Sequence, residues 1–317
     1  MIKYISKRIL MLIPVILGVI FIVFFVMSLS PVNPAEVILG DGATAESIAA
    51  KEEELGLNDP FLIRFGNYVL GLLRGDMGVG WRTEVSVAEE ISQVLPNTLV
   101  LAFGSMIIAI AIGIPLGIFS AKHQNSLVDN LSMILALVGI SMPLFWLGLL
   151  LVIAFSVNLH WFPSSGFDKT SMMTMIQSAC LPVITLATLP TAMITRMTRS
   201  SMLDVVRQDY IDTARAKGVK ESIITRKHML KNALIPIITI IGLQFGTQLS
   251  GAILTETVFS WPGIGRLTIE AIKTKDQQTV LGCVVVISLM FSVINLIVDI
   301  LYAYVDPRIK AKYTKKR

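Results

Sequence analysis

Six long apolar runs, each free of charged side chains, constrain the fold of this chain more than any other feature. A helix needs about 20 such residues to cross the roughly 30 Å hydrocarbon layer of a membrane. The runs cover residues 9–29, 97–121, 131–157, 176–195, 233–255 and 279–298. They are continuously apolar rather than alternating, which excludes the strands of a membrane β-barrel. The sequence therefore predicts an all-α integral membrane protein with six transmembrane helices.

The composition of the chain supports the same class. Charged residues make up only 15% of the sequence, whereas soluble domains contain about 25%. Lys3, Lys7 and Arg8 precede the first apolar run, as in a signal peptide. That run is too long for a signal-peptide core, and no small-residue cleavage site follows it. We therefore expect residues 1–30 to form a retained first transmembrane helix.

Lys and Arg residues are distributed unequally between the two sides of the predicted membrane protein. With six spans, both termini share one side with the connections 122–130 and 196–232. That side carries 19 of the 27 Lys and Arg residues. Because cytoplasmic loops are enriched in Lys and Arg, both termini are predicted to be cytoplasmic, including the basic tail 306–317. The membrane topology accounts for the excess of Lys and Arg over Asp and Glu, so we do not expect nucleic-acid binding.

The largest connection on the opposite side covers residues 31–96. Pro and Gly interrupt it, and helix-like stretches occur at 45–55 and 60–73. The segment is too poor in core residues to form a domain of its own, so we expect a loop region that lies against the outer membrane face. The rest of the chain, residues 97–305, is predicted to form the membrane core.

Metal-binding and catalytic residues show no recognisable pattern. Cys180 and Cys283 fall in or beside apolar runs and are expected to be buried thiols, and the three histidines lie on both sides of the membrane. The sequence contains no phosphate-binding G-x-x-x-x-G-K-[ST], no H-E-x-x-H and no G-x-S-x-G motif. We therefore predict no metal, no cofactor and no enzymatic activity in this chain. The energy for any transport would come from a partner or an ion gradient.

A charged segment, residues 209–235, lies between the fourth and fifth apolar runs. Such a density of charge cannot lie in hydrocarbon and must sit in water beside the membrane. Gly218 interrupts its helix-forming residues and permits a sharp turn. We expect the segment to be a docking surface. Its charged residues are Asp209, Asp212, Arg215, Lys217, Lys220, Glu221, Arg226, Lys227 and Lys231.

This segment resembles the cytoplasmic loop of the permease subunits of binding-protein-dependent ABC importers, which carries the pattern E-A-A-x-x-x-G. Asp212, Thr213, Ala214 and Gly218 stand at the positions of that pattern. The runs YIDTARAKG and RKHMLKNALIP resemble the peptide and nickel branch, where the usual I-x-L-P tail is replaced, here by a stretch with His228. Further segments resemble the first permease subunit of that branch in the same order: RILMLIPVILGVIFIVFF, LLRGDMG, SMPLFWLGLLL, WFPSSG, ETVFSWPGIGRL and NLIVDILYAYVDPR.

The resemblance implies a type I ABC importer permease fold in a bacterial or archaeal plasma membrane. It also implies a second homologous permease, two cytoplasmic subunits that hold ATP and Mg²⁺, and an extracytoplasmic substrate-binding protein. The cargo expected from this branch is a dipeptide or short oligopeptide, with nickel, glutathione or another small solute left open. The loop 200–232 would dock into a groove on the ATPase subunit. The residues assigned to that coupling surface are Tyr210, Asp212, Thr213, Ala214, Arg215, Gly218 and His228.

Two glutamines in the fifth run are candidates for the substrate pathway. Gly242 and Gly246 form a small-xxx-small pair that permits close helix contact, while Gln244 and Gln248 lie on the opposite side of the helix. Amides that face an aqueous pathway suit the backbone groups of a peptide. Hydrogen bonding between helices is an equally favoured role.

Threonines of the fourth run form a second set of pathway candidates, represented by Thr188 and Thr191. Threonine hydroxyls often bond back to their own helix, and we favour that structural role.

Asp299, at the inner end of the last span directly after the apolar run 279–298, is the clearest ionisable residue within the membrane, and Asn295 lies one turn before it. This pair raises the alternative of an ion-coupled secondary transporter, although no inverted repeat accompanies it. The family resemblance favours a tether between helices instead. An intramembrane hydrolase ranks third, because no pair of nucleophile and base is present.

Overall fold

The computed structural model describes residues 2–30, 32–40 and 42–305. The predicted basic tail 306–317 and the side chain of Asp299 lie outside the described part. Within that part the chain is helical, with one isolated β-bridge between Val79 and Ser86. The α-helices are α1 (Ile2–Ser28), α2 (Pro34–Leu39), α3 (Ala45–Glu54), α4 (Phe61–Leu73), α5 (Val87–Lys122), α6 (Leu127–Ser141), α7 (Leu144–Leu151), α8 (Met172–Val206), α9 (Asp209–Ala216), α10 (Glu221–Ile223), α11 (Lys231–Val258), α12 (Ile264–Lys273) and α13 (Gln277–Val305). Two π-helical stretches, π1 (Val152–Asn158) and π2 (Ile224–Leu230), continue α7 and α10.

Five of the six predicted spans are continuous helices, formed by α1, α5, α8, α11 and α13. The third predicted span, 131–157, is instead a broken pair in which α6 meets α7 and π1 at an angle of 108°. The break falls at Met142, which adopts an extended conformation before Pro143. A residue before proline is pushed out of the helical region, because the proline ring clashes with its backbone. Six spans result when the bent pair is counted as one.

Two core helices extend beyond their predicted apolar runs. Helix α5 has 36 residues, which corresponds to about 54 Å and exceeds the hydrocarbon thickness. The boundary placed between residues 96 and 97 therefore falls inside α5, with Pro96 within the helix. Helix α8 likewise continues to Val206, so both helices project beyond the membrane.

The segment that precedes α5 contains the two predicted helices. Helix α3 matches the stretch predicted at 45–55, and α4 matches the stretch at 60–73, so both predictions are confirmed. Asn33 caps α2 with its side-chain oxygen and donates its amide N–H to Glu52 at 2.6 Å. This hydrogen bond ties α2 to α3.

Helix α8 forms the centre of the bundle, with α5 along one side and α11 along another. Helix α11 in turn packs closely against α13 at the predicted small residues. A Cβ atom on Gly242 would overlap the side chain of Val298, and one on Gly246 would lie 3.0 Å from Phe291. Only glycine at position 242 permits this approach, so the predicted packing face is confirmed. Of the two thiols, Cys283 is buried and Cys180 is half-buried.

Candidate functional site

Helix α9 is amphipathic and is anchored to the bundle by its apolar side. Ile211 is fully buried and Ala214 is 9% exposed, within a cluster that includes Met202 of α8, Met229 of π2 and Ile237 of α11. The helix therefore contacts the two long helices that precede and follow it. The apolar side of α9 thus shares one buried cluster with α8 and α11.

The opposite side of α9 is exposed and charged. Asp212 and Arg215 form an ion pair at 3.2 Å, and Arg215 also contacts Glu221 of α10 at 2.8 Å. The carboxylates of Glu221 and Asp212 raise the pKa of the Arg215 guanidinium. Because all three side chains are exposed, such pairs stabilise the fold by only about 0–1 kcal/mol each. Their charge is available to a partner.

Gly218 makes the turn between α9 and α10. Its φ angle is +75°, in the left-handed region that side chains rarely adopt. The N–H of Gly218 donates to the carbonyl of Arg215 at 2.9 Å, and the N–H of Val219 donates to that of Ala214 at 3.2 Å. A Cβ atom at position 218 would meet no atom within 4 Å. The constraint on this residue is therefore its backbone conformation, and the surrounding space is open.

Asn232, which the sequence analysis did not identify, joins the two ends of the charged segment. Its side-chain amide donates to the hydroxyl of Tyr210 at 3.0 Å and to the backbone carbonyl of His228 at 2.8 Å. His228 thus contributes a carbonyl to this link, while the hydroxyl of Thr213 bonds back to Asp209 within α9. Five of the seven predicted coupling residues are exposed, His228 is half-buried, and Ala214 packs beneath the surface.

The two predicted pathway glutamines are both buried in this structure. Gln248 is 4% exposed and donates to the Ser105 hydroxyl of α5 at 2.7 Å and to the Leu186 carbonyl of α8 at 3.2 Å. Gln244 is 7% exposed and accepts a hydrogen bond from Thr247. In this structure Gln248 therefore forms hydrogen bonds between helices, which is one of the two roles considered for it. Exposure of either residue to a water-filled pathway stays a prediction.

The two threonine candidates bond back to their own helix, as the structural alternative predicted. Thr188 donates to the carbonyl of Ile184 at 3.0 Å, and Thr191 donates to that of Ala187 at 2.7 Å. Both residues line a groove between α5, α6 and α8 of about 370 Å³. The rest of its wall is mostly apolar, so the groove offers few polar partners to a substrate.

Comparison with known proteins supports the family that the charged segment 209–235 resembles. The family described as "Binding-protein-dependent transport system inner membrane component" matches residues 113–311, and the N-terminal domain of the same kind of component matches residues 1–102. This chain belongs to that family. It is therefore a multi-pass inner-membrane component of a transport system, and such components are transport subunits rather than enzymes.

Two relatives match almost the whole chain. The dipeptide transport system permease protein DppB of Alkalihalophilus pseudofirmus is 46% identical over 98% of this chain and 100% of its own length. The glutathione transport system permease protein GsiC of Salmonella typhimurium is 43% identical with the same coverage. An inward-facing structure of the MetNI methionine ABC transporter aligns with a TM-score of 0.57 and 17% identity, over 68% of this chain and 96% of that one. The chain therefore has the type I ABC importer permease fold.

The structure also reveals a buried polar cluster at the opposite end of the permease from α9. Thr98 of α5 donates its hydroxyl to Glu256 at 2.6 Å and accepts the N–H of Ile264 at 2.9 Å. Glu256 also accepts the N–H of Arg266 at 3.0 Å, and Asn97 donates to the carbonyl of Pro262 at 2.6 Å. We call Asn97, Thr98, Glu256 and the start of α12 the outer polar cluster.

This cluster joins three helices through groups that have no access to water. Glu256 is fully buried, and its carboxylate receives amides at the N-terminus of α12, where the helix dipole favours negative charge. The family motif ETVFSWPGIGRL contains Glu256 and the first residues of α12, but the motif gives no indication of Thr98 as the partner. The outer end of the permease is therefore held by buried hydrogen bonds.

A buried ion pair holds the inner side of the bundle. Asp129 at the start of α6 is 1% exposed and receives the guanidinium of Arg199 of α8, with Nη2 to Oδ2 at 2.7 Å. The Ser120 hydroxyl of α5 and the N–H of Asn125 donate to the same carboxylate. Three helices thus meet at one aspartate. Among the described residues, no group of three or more His, Cys, Asp or Glu side chains is arranged to hold a metal ion.

Proposed function

We propose that this chain is the first permease subunit of an ATP-driven importer of dipeptides or short oligopeptides. It would pair with a second homologous permease to form the pathway. Two cytoplasmic subunits would bind ATP and Mg²⁺, and an extracytoplasmic binding protein would deliver the substrate. The dipeptide and glutathione systems of the two relatives both carry short peptides, which supports this substrate class. Import of nickel or another small solute is the alternative on the same architecture.

We assign the ATPase contact to α9 because of its geometry. A docking element must present a distinctive surface and must also be fixed to the parts that move. Helix α9 presents Tyr210, Asp212, Thr213 and Arg215, while Ile211 is packed among α8, π2 and α11. Closure of two ATPase subunits would move α9, and α8 and α11 would follow because they share its apolar cluster. The permease would then alternate between inward-open and outward-open states.

Lys and Arg residues are concentrated in the termini and in the segment that contains α9. This enrichment supports placing these parts of the chain, and the α5–α6 connection on the same side, in the cytoplasm. The structure groups the same elements: Ala121 at the end of α5 belongs to the cluster under α9. The outer polar cluster lies at the other end of the same helices.

The substrate and the energy source are tested in proteoliposomes that hold the complete transporter with ATP inside. We expect binding-protein-dependent uptake of a labelled dipeptide that continues after a protonophore collapses the proton gradient. Unlabelled glutathione and Ni²⁺ are added as competitors to rank the alternatives. Uptake that stops with the proton gradient while ATP is held constant would contradict the proposal and favour an ion-coupled transporter.

The same assay tests Asp299, whose substitution by Asn retains hydrogen bonding without a charge. We expect Asp299→Asn to keep most of the uptake, since energy comes from ATP. Loss of all uptake in an assembled complex would favour the ion-coupled alternative.

A further inference from the structure

Helix α4 is apolar, too short to cross a membrane, and not buried. Its 13 residues correspond to about 20 Å, less than the roughly 30 Å hydrocarbon layer. None of its residues is buried within the chain. An apolar helix of this length is either a buried core helix or a helix that lies in the membrane interface. Because no residue of α4 is buried within the chain, we describe it as an interfacial helix.

One side of α4 packs against α1 through aromatic rings. Phe61 and Phe65 lie 5.7 and 5.3 Å from the ring of Phe21, and Phe61 lies 5.8 Å from that of Phe25. Tyr68 adds a contact with Phe24 at 5.6 Å. These edge-to-face and tilted arrangements are the favoured geometries for aromatic pairs. They fix α4 to the outer half of the first transmembrane helix.

The aromatic contacts set the depth of α4. Helix α1 ends at Ser28, where the chain leaves the membrane on the side of the 32–86 segment. Phe25 and Phe21 lie three and seven residues before that end, which corresponds to about 5 and 10 Å along the helix axis. Interfacial helices bury their apolar side about 5–10 Å into the boundary between headgroups and acyl chains. Helix α4 is thus held at the depth of the outer lipid interface.

The second side of α4 is apolar and exposed. Leu62 is 71% exposed, Ile63 52%, Leu70 52% and Leu73 80%. Around the helix these residues fall on one face, beside the side that carries Phe61 and Phe65. On α1 the neighbouring positions are exposed and apolar as well, with Ile22 60% exposed. The apolar surface of α4 therefore continues the lipid-facing surface of α1.

The third side of α4 is polar. Arg64 and Asn67 line a cavity of about 240 Å³ together with Asp59, Trp81 and Gln278, among others. Arg and Trp side chains are typical of the headgroup region, where one end of the side chain is wet and the other apolar. A helix whose polar side faces a polar cavity and whose apolar side faces acyl chains has the amphipathic character that an interface requires.

We propose that α4 is an interfacial membrane helix whose Leu62, Ile63, Leu70 and Leu73 contact the acyl chains of the outer leaflet. Lipid is the occupant that the depth and the continuity with α1 favour. In this position α4 anchors residues 42–86 to the membrane surface and braces α1, most of whose membrane-spanning residues are not buried within the chain. This role is separate from ATP coupling and goes beyond the proposed transport function.

Spin labels on single cysteines test the proposal in the complete transporter, reconstituted in vesicles of phosphatidylethanolamine and phosphatidylglycerol. Cys180→Ser and Cys283→Ala provide the background, and cysteines are placed at Leu62 and Leu70. The matched control is a cysteine at Asn67, which is also exposed but lies on the polar side. Collision rates are measured with oxygen, which partitions into acyl chains, and with a water-soluble nickel chelate.

We expect the labels at 62 and 70 to collide several-fold more with oxygen than with the nickel chelate, and the label at 67 to show the opposite preference. Access of the nickel chelate to positions 62 and 70 would place this face in water and overturn the proposal. Protection from both reagents would show that another protein covers it, which would also overturn the proposal. All these positions are exposed, so labelling them does not disturb the core.

Discussion

The two ends of the permease use polar residues in opposite ways. At the inner end, Asp212 and Arg215 of α9 are exposed and bond mainly to each other and to Glu221. At the outer end, Glu256 and Thr98 are buried and hold α5, α11 and the start of α12 together. Exposed charged side chains contribute little to the stability of the fold and remain available to another protein. Buried polar groups stabilise the fold only while each of them keeps its hydrogen-bond partners. The exposed side of α9 is available for contact with a partner, whereas the outer polar cluster holds helices together.

This comparison predicts that truncating the outer cluster has the largest effect on stability. Glu256→Ala leaves the Thr98 hydroxyl and the N–H of Arg266 buried without an acceptor. We expect a loss on the order of 3 kcal/mol, since each unsatisfied buried group costs about 1–3 kcal/mol. Thermal unfolding of the purified complex measures the effect. Glu256→Gln, which keeps one acceptor oxygen and the volume, is the control and should lose less.

An unchanged melting temperature in Glu256→Ala would mean that the outer cluster does not hold the helices. The contrast between the two ends would then be wrong.

The inner ion pair is the second test, because it is buried although it lies on the same side as α9. Arg199→Ala leaves the Asp129 carboxylate without its cation, and breaking such a pair costs about 3–5 kcal/mol when both partners are fully buried. Arg199 is 22% exposed, so we expect about 2 kcal/mol. The double variant Asp129→Asn with Arg199→Gln should recover part of the stability. A double variant less stable than Arg199→Ala would show that the two residues do not act as a pair.

Gly218 is the third test and concerns the backbone of the docking surface. Gly218→Val forces a β-branched residue into the left-handed region, at a cost of about 1–2 kcal/mol. We expect the turn to rearrange, with uptake and ATPase binding both reduced. Gly218→Asn is the matched control, because Asn tolerates this conformation. Equal activity of the two variants would mean that the left-handed turn is not needed for coupling.

Asp212→Arg should change stability least and still impair coupling. The side chain is exposed, so we expect less than about 1 kcal/mol in thermal unfolding. Reversal of its charge adds a second positive group to α9, beside Arg215, and should reduce co-purification of the ATPase and substrate-stimulated hydrolysis, with Asp212→Asn less affected. Wild-type co-purification by Asp212→Arg would remove this residue from the docking surface.

The sequence predicted the features that are local in the chain. Apolar runs identify spans because their composition alone excludes water, and the charged segment around Gly218 identified α9 and its turn. Two of the three helices of the outer segment, α3 and α4, were also predicted, since the Pro and Gly residues that flank helix-like stretches are local signals.

Features that join distant parts of the chain could not be predicted in this way. Thr98 and Glu256 meet across 158 positions and Asp129 and Arg199 across 70, and no spacing in a single sequence reports such pairs. The role of Gln248 could not be decided from the sequence either, because an amide can face a substrate pathway or form hydrogen bonds to a neighbouring helix. The 108° bend of the third span likewise involves contacts of α7 with α8 and α11, which are distant from α7 in the chain.

We propose that the exposed side of α9 contacts the ATPase subunit. Photo-cross-linking in the complete transporter tests this contact, with a photoreactive amino acid at Thr213 of α9 and, as control, at Glu270 of α12, which is also exposed. We predict cross-links from 213 to an ATP-binding subunit and none from 270. Cross-links to the ATPase from 270, with none from 213, would contradict both the docking surface and the orientation of the chain in the membrane.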